Sequence, residues 1–146
     1  MIKGSLEEVR KQINKAKGKV IVLGGGDDFN RKILEMKKVD VLLSPEYKHE
    51  RDMLKQRDSG LNHIMCKFAR KNNVVIGIDF NNLKEKNKIK LAKWLARVMQ
   101  NIKLCRKAGV KMQVFNCEMD KQALRAFLLS LGMSTQQAKQ TIELSI

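Results

Sequence analysis

Four short apolar runs, each closed by a turn residue and each followed by a capped amphipathic segment, restrict this chain more than anything else in it. The runs are "KVIVLG" (19–24), "VDVLLS" (39–44), "NVVIGIDF" (73–80) and "KMQVFN" (111–116). All are strand-length, rich in Val and Ile, and bounded by Gly, Pro or Asn. Between them the apolar residues recur at helical spacing. Ser5 and Glu8 form a capping box ahead of Leu6, Val9 and Ile13, and Gly18 closes that first helix. Asp27 or Asp28 is expected to cap a helix carrying Phe29, Ile33, Leu34 and Met36. Ser59 is expected to cap a third helix over 60–71, which carries Leu61, Ile64, Met65 and Phe68. A long helix over 85–108 ends at Gly109. Asp120 opens a helix that stops at Gly132, and Ser134 with Gln137 reads as a second capping box for the last one. Strand and helix alternate through all four strands, which makes an α/β domain with a parallel sheet and right-handed crossovers. The sheet is either open or part of a (β/α) barrel, and the 146 residues read as a single domain, 1–146.

Charge decides the class of partner. Thirty Lys and Arg stand against fifteen Asp and Glu, a net +15. So large a surplus repels itself in the compact state and is relieved by a polyanion, of which nucleic acid is the commonest; an acidic membrane surface or protein is the alternative. No apolar run approaches the length of a membrane span, and "MIKGSLEEVRKQ" is too polar for a signal peptide. Cys66, Cys105 and Cys117 form no C-x-x-C pair and read as reduced thiols, which suits a cytoplasmic protein with no membrane association.

The surplus concentrates in the long helix. Between Lys84 and Lys111 there are ten basic residues and one acidic residue. Lys86, Lys90, Lys93 and Arg97 fall on one face at 3.6 residues per turn, opposite Leu91, Leu95, Val98, Ile102 and Cys105. Ordinary solvated faces mix both signs, so this stripe is a candidate phosphate-binding surface. The loop 45–59, "PEYKHERDMLKQRDS", is long for a β–α connection. Its Lys48, Arg51, Lys55 and Arg57 alternate with acids, which suits a specific contact surface.

Catalytic signals are weak by comparison. "VLGGGDDFN" sets three glycines between strand and helix, but it is neither G-x-G-x-x-G nor a P-loop, and two aspartates there would repel phosphate; it reads as a tight turn before a helix. Asp28, Glu46, Asp79 and Glu118 each lie at or past the C-terminal end of a strand, where carboxylates in a parallel barrel could hold Mg²⁺. The same positions are those of caps and turns. Two histidines are too few for a His-rich metal site, and Ser59 with His63 lacks an acidic partner and the nucleophile-elbow pattern. No catalytic residue and no metal ligand is therefore assigned.

"VDVLLSPE" (39–46), "RDSGLNHIMCKFARKNNVVIGIDF" (57–80), "NIKLCRKAGV" (101–110) and "LRAFLLSLGM" (124–133) occur in an order that resembles the ribonuclease P protein component 3 family. Gly24, Gly25 and Asn30 resemble its stretch before the second strand. The resemblance covers about residues 20–140 and implies a TIM-like barrel related to metal-dependent phosphoesterases. It implies a non-catalytic subunit of a ribonucleoprotein whose RNA removes the 5′ leader of precursor tRNA with Mg²⁺, the polypeptide itself binding no cofactor. The implied partners are ribonuclease P RNA, precursor tRNA indirectly, and ribonuclease P protein component 2, commonly as a heterotetramer. Arg57 and His63 would face RNA or that partner subunit. Two departures stand out: the chain opens directly on a helix where the family has an opening strand and helix, and "FNCEMD" (115–120) replaces a small Ser- and Gly-rich stretch. An incomplete, truncated TIM-like barrel is therefore expected, with a sheet edge or apolar patch left for a partner. Two other readings are a stand-alone metal-dependent phosphoesterase built on the four carboxylates and a general RNA-binding module.

Overall fold

The computed structural model describes residues 1–49 and 57–145. Its elements run α1 (Leu6–Lys15), β1 (Ile21–Leu23), α2 (Asp27–Leu34), β2 (Val41–Leu43), α3 (His63–Lys71), β3 (Val75–Asp79), a 3₁₀ turn (Phe80–Lys84), α4 (Lys88–Ala108), β4 (Met112–Phe115), α5 (Lys121–Ser130) and α6 (Thr135–Ser145). The four strands are all parallel and pair in chain order, β1-β2-β3-β4. Right-handed crossovers between strands laid down in simple succession put every connecting helix on the same side. Open doubly wound sheets reverse direction once and cover both faces; a barrel does not. The arrangement is thus an arc of a (β/α) barrel, as expected.

The outer face of that arc is the core. Val22, Leu42, Ile76, Ile78, Met112 and Val114 point to it and meet Ile33, Leu34, Met65, Cys66, Ile102 and Leu128 from the helices. Each such fully buried side chain contributes roughly 1.5–3 kcal/mol of transfer free energy. The inner face is smaller but not bare. A side chain on Gly77 would run into Leu43, Phe115 and Val41, which close over it from both neighbouring strands. Lys19 crosses the concavity, its Nζ 3.3 Å from Gln113 Oε1.

The edges are only partly open. Ile2 forms a single parallel bridge to Val22, its N–H donating to Ile21 O (2.7 Å) and its carbonyl accepting from Leu23 (2.9 Å). Ile2 thus extends the sheet by one bridged residue beyond β1. At the far edge Val114 N–H donates to Ser145 Oγ at the end of α6 (2.9 Å).

Several local expectations change. The Ser5–Glu8 capping box forms in both directions, and Asp120 caps α5 through Ala123 N–H (2.8 Å). Asp27 and Asp28, however, sit in the first turn of α2 behind Gly26, where they favour the helix through its dipole rather than as caps. Asn62, not Ser59, caps α3, accepting from Met65 N–H (2.8 Å). Ser134 accepts from Gln137 N–H (3.1 Å), but the Gln137 side chain turns into the core toward Ile102 O (3.1 Å), so α6 has half a capping box. The long helix begins at Lys88 rather than at 85, because Asn87 caps it, its side chain accepting from Ile89 N–H (3.0 Å) and Lys90 N–H (3.2 Å).

Candidate nucleic-acid interface

The C-terminal ends of β1 and β2 and the segment ahead of α3 are tied into one platform. Gly24 N–H donates to Leu43 O (2.7 Å), and Ser44 N–H to Gly77 O (3.0 Å). Asn30, fully buried in α2, makes the junction. Its Oδ1 accepts from Gly25 N–H (2.7 Å), and its Nδ2 donates to Pro45 O (2.9 Å) and Gly60 O (3.1 Å). Gly60, at φ +80°, packs so closely on the Pro45 carbonyl that any Cβ there would collide with it. These contacts give a physical reason for the Gly24, Gly25, Asn30 and "SPE…SGLN" pattern.

Helix α4 grips the same platform from the other side. Arg97 Nε donates to Asp58 O (3.1 Å), Gln100 to Arg57 O (2.9 Å) and Asn101 to Ser59 O (3.1 Å). His49 completes the binding of the loops. Its Nδ1 lies 3.0 Å from Asp58 Oδ1, and its Nε2 lies 3.1 Å from Gly25 O and 3.6 Å from Asp27 Oδ1. Both facing groups, the Gly25 carbonyl and the Asp58 carboxylate, are acceptors, so each is held by whichever imidazole nitrogen carries a proton.

The expected basic stripe is therefore redrawn. Lys90 and Lys93 are exposed on the first turns of α4, and Lys86 is exposed just before it, off the helix. Arg97 leaves the stripe: it is 3% exposed, because its guanidinium reaches the backbone carbonyls of Asp58 and Lys93 instead of solvent. Lys48 and Arg57 are exposed on the loops, and His63 is exposed as the first residue of α3. Arg51 and Lys55 lie outside the described residues. A shallow groove of about 400 Å³ brings Arg57 together with Lys88 and Lys93. Beside it, sharing Lys93 and Arg97, is a pocket of about 500 Å³ between the Ser44–His49 loop and α4, closed by Asn82, Glu85, Lys90 and Trp94.

Glu46 lies in that pocket, 6% exposed, and accepts a hydrogen bond from Trp94 Nε1 (2.9 Å). Burial pushes its carboxyl up from the usual 4.5 to about 7, with Asp79 adding to the effect while a backbone N–H, the Trp94 indole and His49 oppose it. The folded-state value lies above the unfolded one, so stability from this group is complete below 4.5 and is lost as pH rises through 7. Glu46→Gln keeps an acceptor for Trp94 and removes the charge. It is expected to match the parent chain near pH 4.5 and to be more stable at pH 8 by up to roughly 3 kcal/mol. Urea unfolding at the two pH values checks this, and an equal difference at both would refute the buried-acid reading.

The four strand-end carboxylates do not assemble as metal ligands. Asp79 accepts from Asn81 N–H and Asn116 Nδ2 (both 2.9 Å), Glu118 pairs with Lys84 in solvent (3.0 Å), Asp28 is exposed in the first turn of α2, and Glu46 is the buried acid just described. Among the described residues, the one group of metal-ligating type with atoms within 4.8 Å of one another is Asp27, His49 and Asp58. There both imidazole nitrogens are already engaged, by Asp58 and by the Gly25 carbonyl. Burial and the neighbouring Asp58 carboxylate also hold Asp27 above its ordinary range, against His49. This arrangement suits a hydrogen-bonded latch between loops. Sequence reasoning missed His49, Trp94 and Ser44 as members of the site. The length of the 45–59 loop marked its neighbourhood, but nothing local marked Trp94, which sits 48 residues after Glu46.

No helix among the described residues is long and apolar enough to cross a membrane. No protein-family model matches the chain. It is similar to "Ribonuclease P protein component 3" of Methanococcus maripaludis strain C6, 32% identical over 122 residues, which are 82% of this chain and 50% of that protein. It is similar as well to the protein of that name from Methanocaldococcus jannaschii, 29% identical over 136 residues, 87% of this chain and 56% of the relative. A chain in a cryo-EM structure of archaeal ribonuclease P with mature tRNA superposes with a TM-score of 0.79 at 28% identity, covering 97% of this chain and 62% of that one. The chain spans about half the length of the curated relatives it matches.

Proposed function

We propose, from the premise that this chain is a relative of ribonuclease P protein component 3 in both sequence and fold, that it works as a protein subunit of ribonuclease P in the cytoplasm. Its role is electrostatic and organisational. It neutralises phosphates, binds a second protein subunit and favours the active fold of the RNA that removes the 5′ leader of precursor tRNA. The polypeptide is non-catalytic, and the Mg²⁺ that activates the attacking water is held by the RNA. The partner subunit is ribonuclease P protein component 2, with two copies of each in the assembly. Its docking surface on this chain is the β1 edge of the sheet, which Ile2 covers with a single bridge. The observation that carries the reading is the likeness to an archaeal ribonuclease P chain over nearly the whole of this one, joined to a net charge of +15. The engaged strand-end carboxylates weigh against the stand-alone phosphoesterase.

The exposed cations supply the test. Changing Lys48, Arg57, Lys86, Lys90 and Lys93 together to Ala should leave the fold intact, since exposed charges contribute little to stability. It should weaken binding of ribonuclease P RNA across many sequences. The log–log salt slope is expected to fall by up to about 0.7 per lost contact on single strands and 0.9 on duplex. An unchanged slope in filter-binding titrations would assign this face to solvent or to an acidic protein.

A further inference from the structure

The pocket between the Ser44–His49 loop and α4 combines features that two other cavities among the described residues lack. The larger cavity, about 710 Å³ at the opposite end of the sheet, has Arg70, Arg106 and Lys111 but no aromatic ring among its described residues. The shallow groove beside Arg57 has none either. The pocket here holds Trp94 and Tyr47 together with Lys90 and Lys93. Ser44 lies at its base in a left-handed backbone conformation, φ +51°, that a serine adopts only under constraint. Its Oγ is buried without a hydrogen-bond partner among the described residues. Ser59 Oγ, Asn101 Oδ1 and Gln137 Oε1 are buried in the same way, so the Ser44 hydroxyl belongs to the constrained floor beneath the pocket.

Resting on the reading of the chain as an RNA-binding subunit, we propose that this pocket seats one unpaired nucleotide of an RNA strand, its base against Trp94 and Glu46 and its phosphates on Lys90 and Lys93. Unstacked bases are recognised by an aromatic face plus hydrogen bonds to their edges, while cations at the rim follow the backbone. The volume of about 500 Å³ accepts a base and its ribose and excludes a duplex. Glu46, its carboxyl pushed up to about 7, populates both its protonated and its ionised form around neutral pH and so can donate as well as accept, which suits the mixed edge of a nucleobase. Tyr47, 59% exposed at the mouth, is placed for the next base.

Trp94 is the single tryptophan of the chain, so its fluorescence reports on this pocket alone. The full chain is titrated with a single-stranded RNA oligonucleotide, with a duplex of the same sequence and with a free nucleoside monophosphate. The single strand should quench Trp94, whereas the duplex should bind without quenching. Quenching by the free monophosphate as strong as by the strand would overturn the assignment to an RNA segment. In parallel, Trp94→Leu should lower single-strand affinity about tenfold with an unchanged salt slope, because a stacking contact releases no counterions. Trp94→Phe should restore most of it. If ribonuclease P RNA binds with the expected salt slope but no strand quenches Trp94, the pocket assignment falls while the subunit reading stands. If the chain binds no RNA, both fall.

Discussion

Asn30→Ala is expected to destabilise the chain by roughly 3–5 kcal/mol, more than any change on its surface. The amide side chain is fully buried and serves three backbone groups, Gly25 N–H, Pro45 O and Gly60 O, from three different segments. Truncation leaves all three in the interior with no partner and no room for water to replace the amide in full. Each orphaned group costs roughly 1–3 kcal/mol, which for a domain of this size lowers the melting temperature by about 10 °C. Asn30→Asp is the sharper variant. It keeps the acceptor for Gly25 but aims a carboxylate at two carbonyl oxygens, so its folded-state pKa is raised. Its stability should therefore be greatest in acid and fall as pH rises, ending below that of Asn30→Ala at pH 8. Thermal unfolding across pH measures both. A loss under about 1 kcal/mol for Asn30→Ala would mean that the platform does not depend on this junction.

The inference from sequence succeeded where the physics is local. The Ser5–Glu8 box and the Asp120 cap need only neighbours three residues away, and the strands declare themselves by short β-branched runs. It was incomplete where a polar side chain chooses between solvent and a distant backbone group. Arg97 has the helical position of an exposed cation, yet the Asp58 carbonyl that draws it inward belongs to a loop 39 residues earlier. Asn62 displaced Ser59 as the cap of α3 because Ser59 is buried beneath α4, where Asn101 holds its carbonyl. The same limitation hid the pocket: Glu46 and Trp94 each look ordinary in sequence, and only the sheet order brings them together. Of the redrawn set of exposed cations, Lys90 and Lys93 line that pocket from α4 and Arg57 lines the groove beside it from the loop.

Reconstituted cleavage of precursor tRNA tests the subunit assignment most directly. Ribonuclease P RNA and protein component 2 are assayed at limiting Mg²⁺ with and without this chain, and the chain is assayed alone with Mg²⁺ or Mn²⁺. Alone it should leave precursor tRNA and simple phosphodiesters intact, since Asp79 is engaged as a cap, Glu118 in an ion pair and Glu46 as a buried acid, while Asp28 is exposed in the first turn of α2. Added to the RNA and its partner, it should raise 5′-leader removal at least about tenfold, equivalent to roughly 1.4 kcal/mol of barrier. RNA-dependent cleavage that is indifferent to the chain, or hydrolysis by the chain alone that disappears in Asp79→Ala, would contradict it.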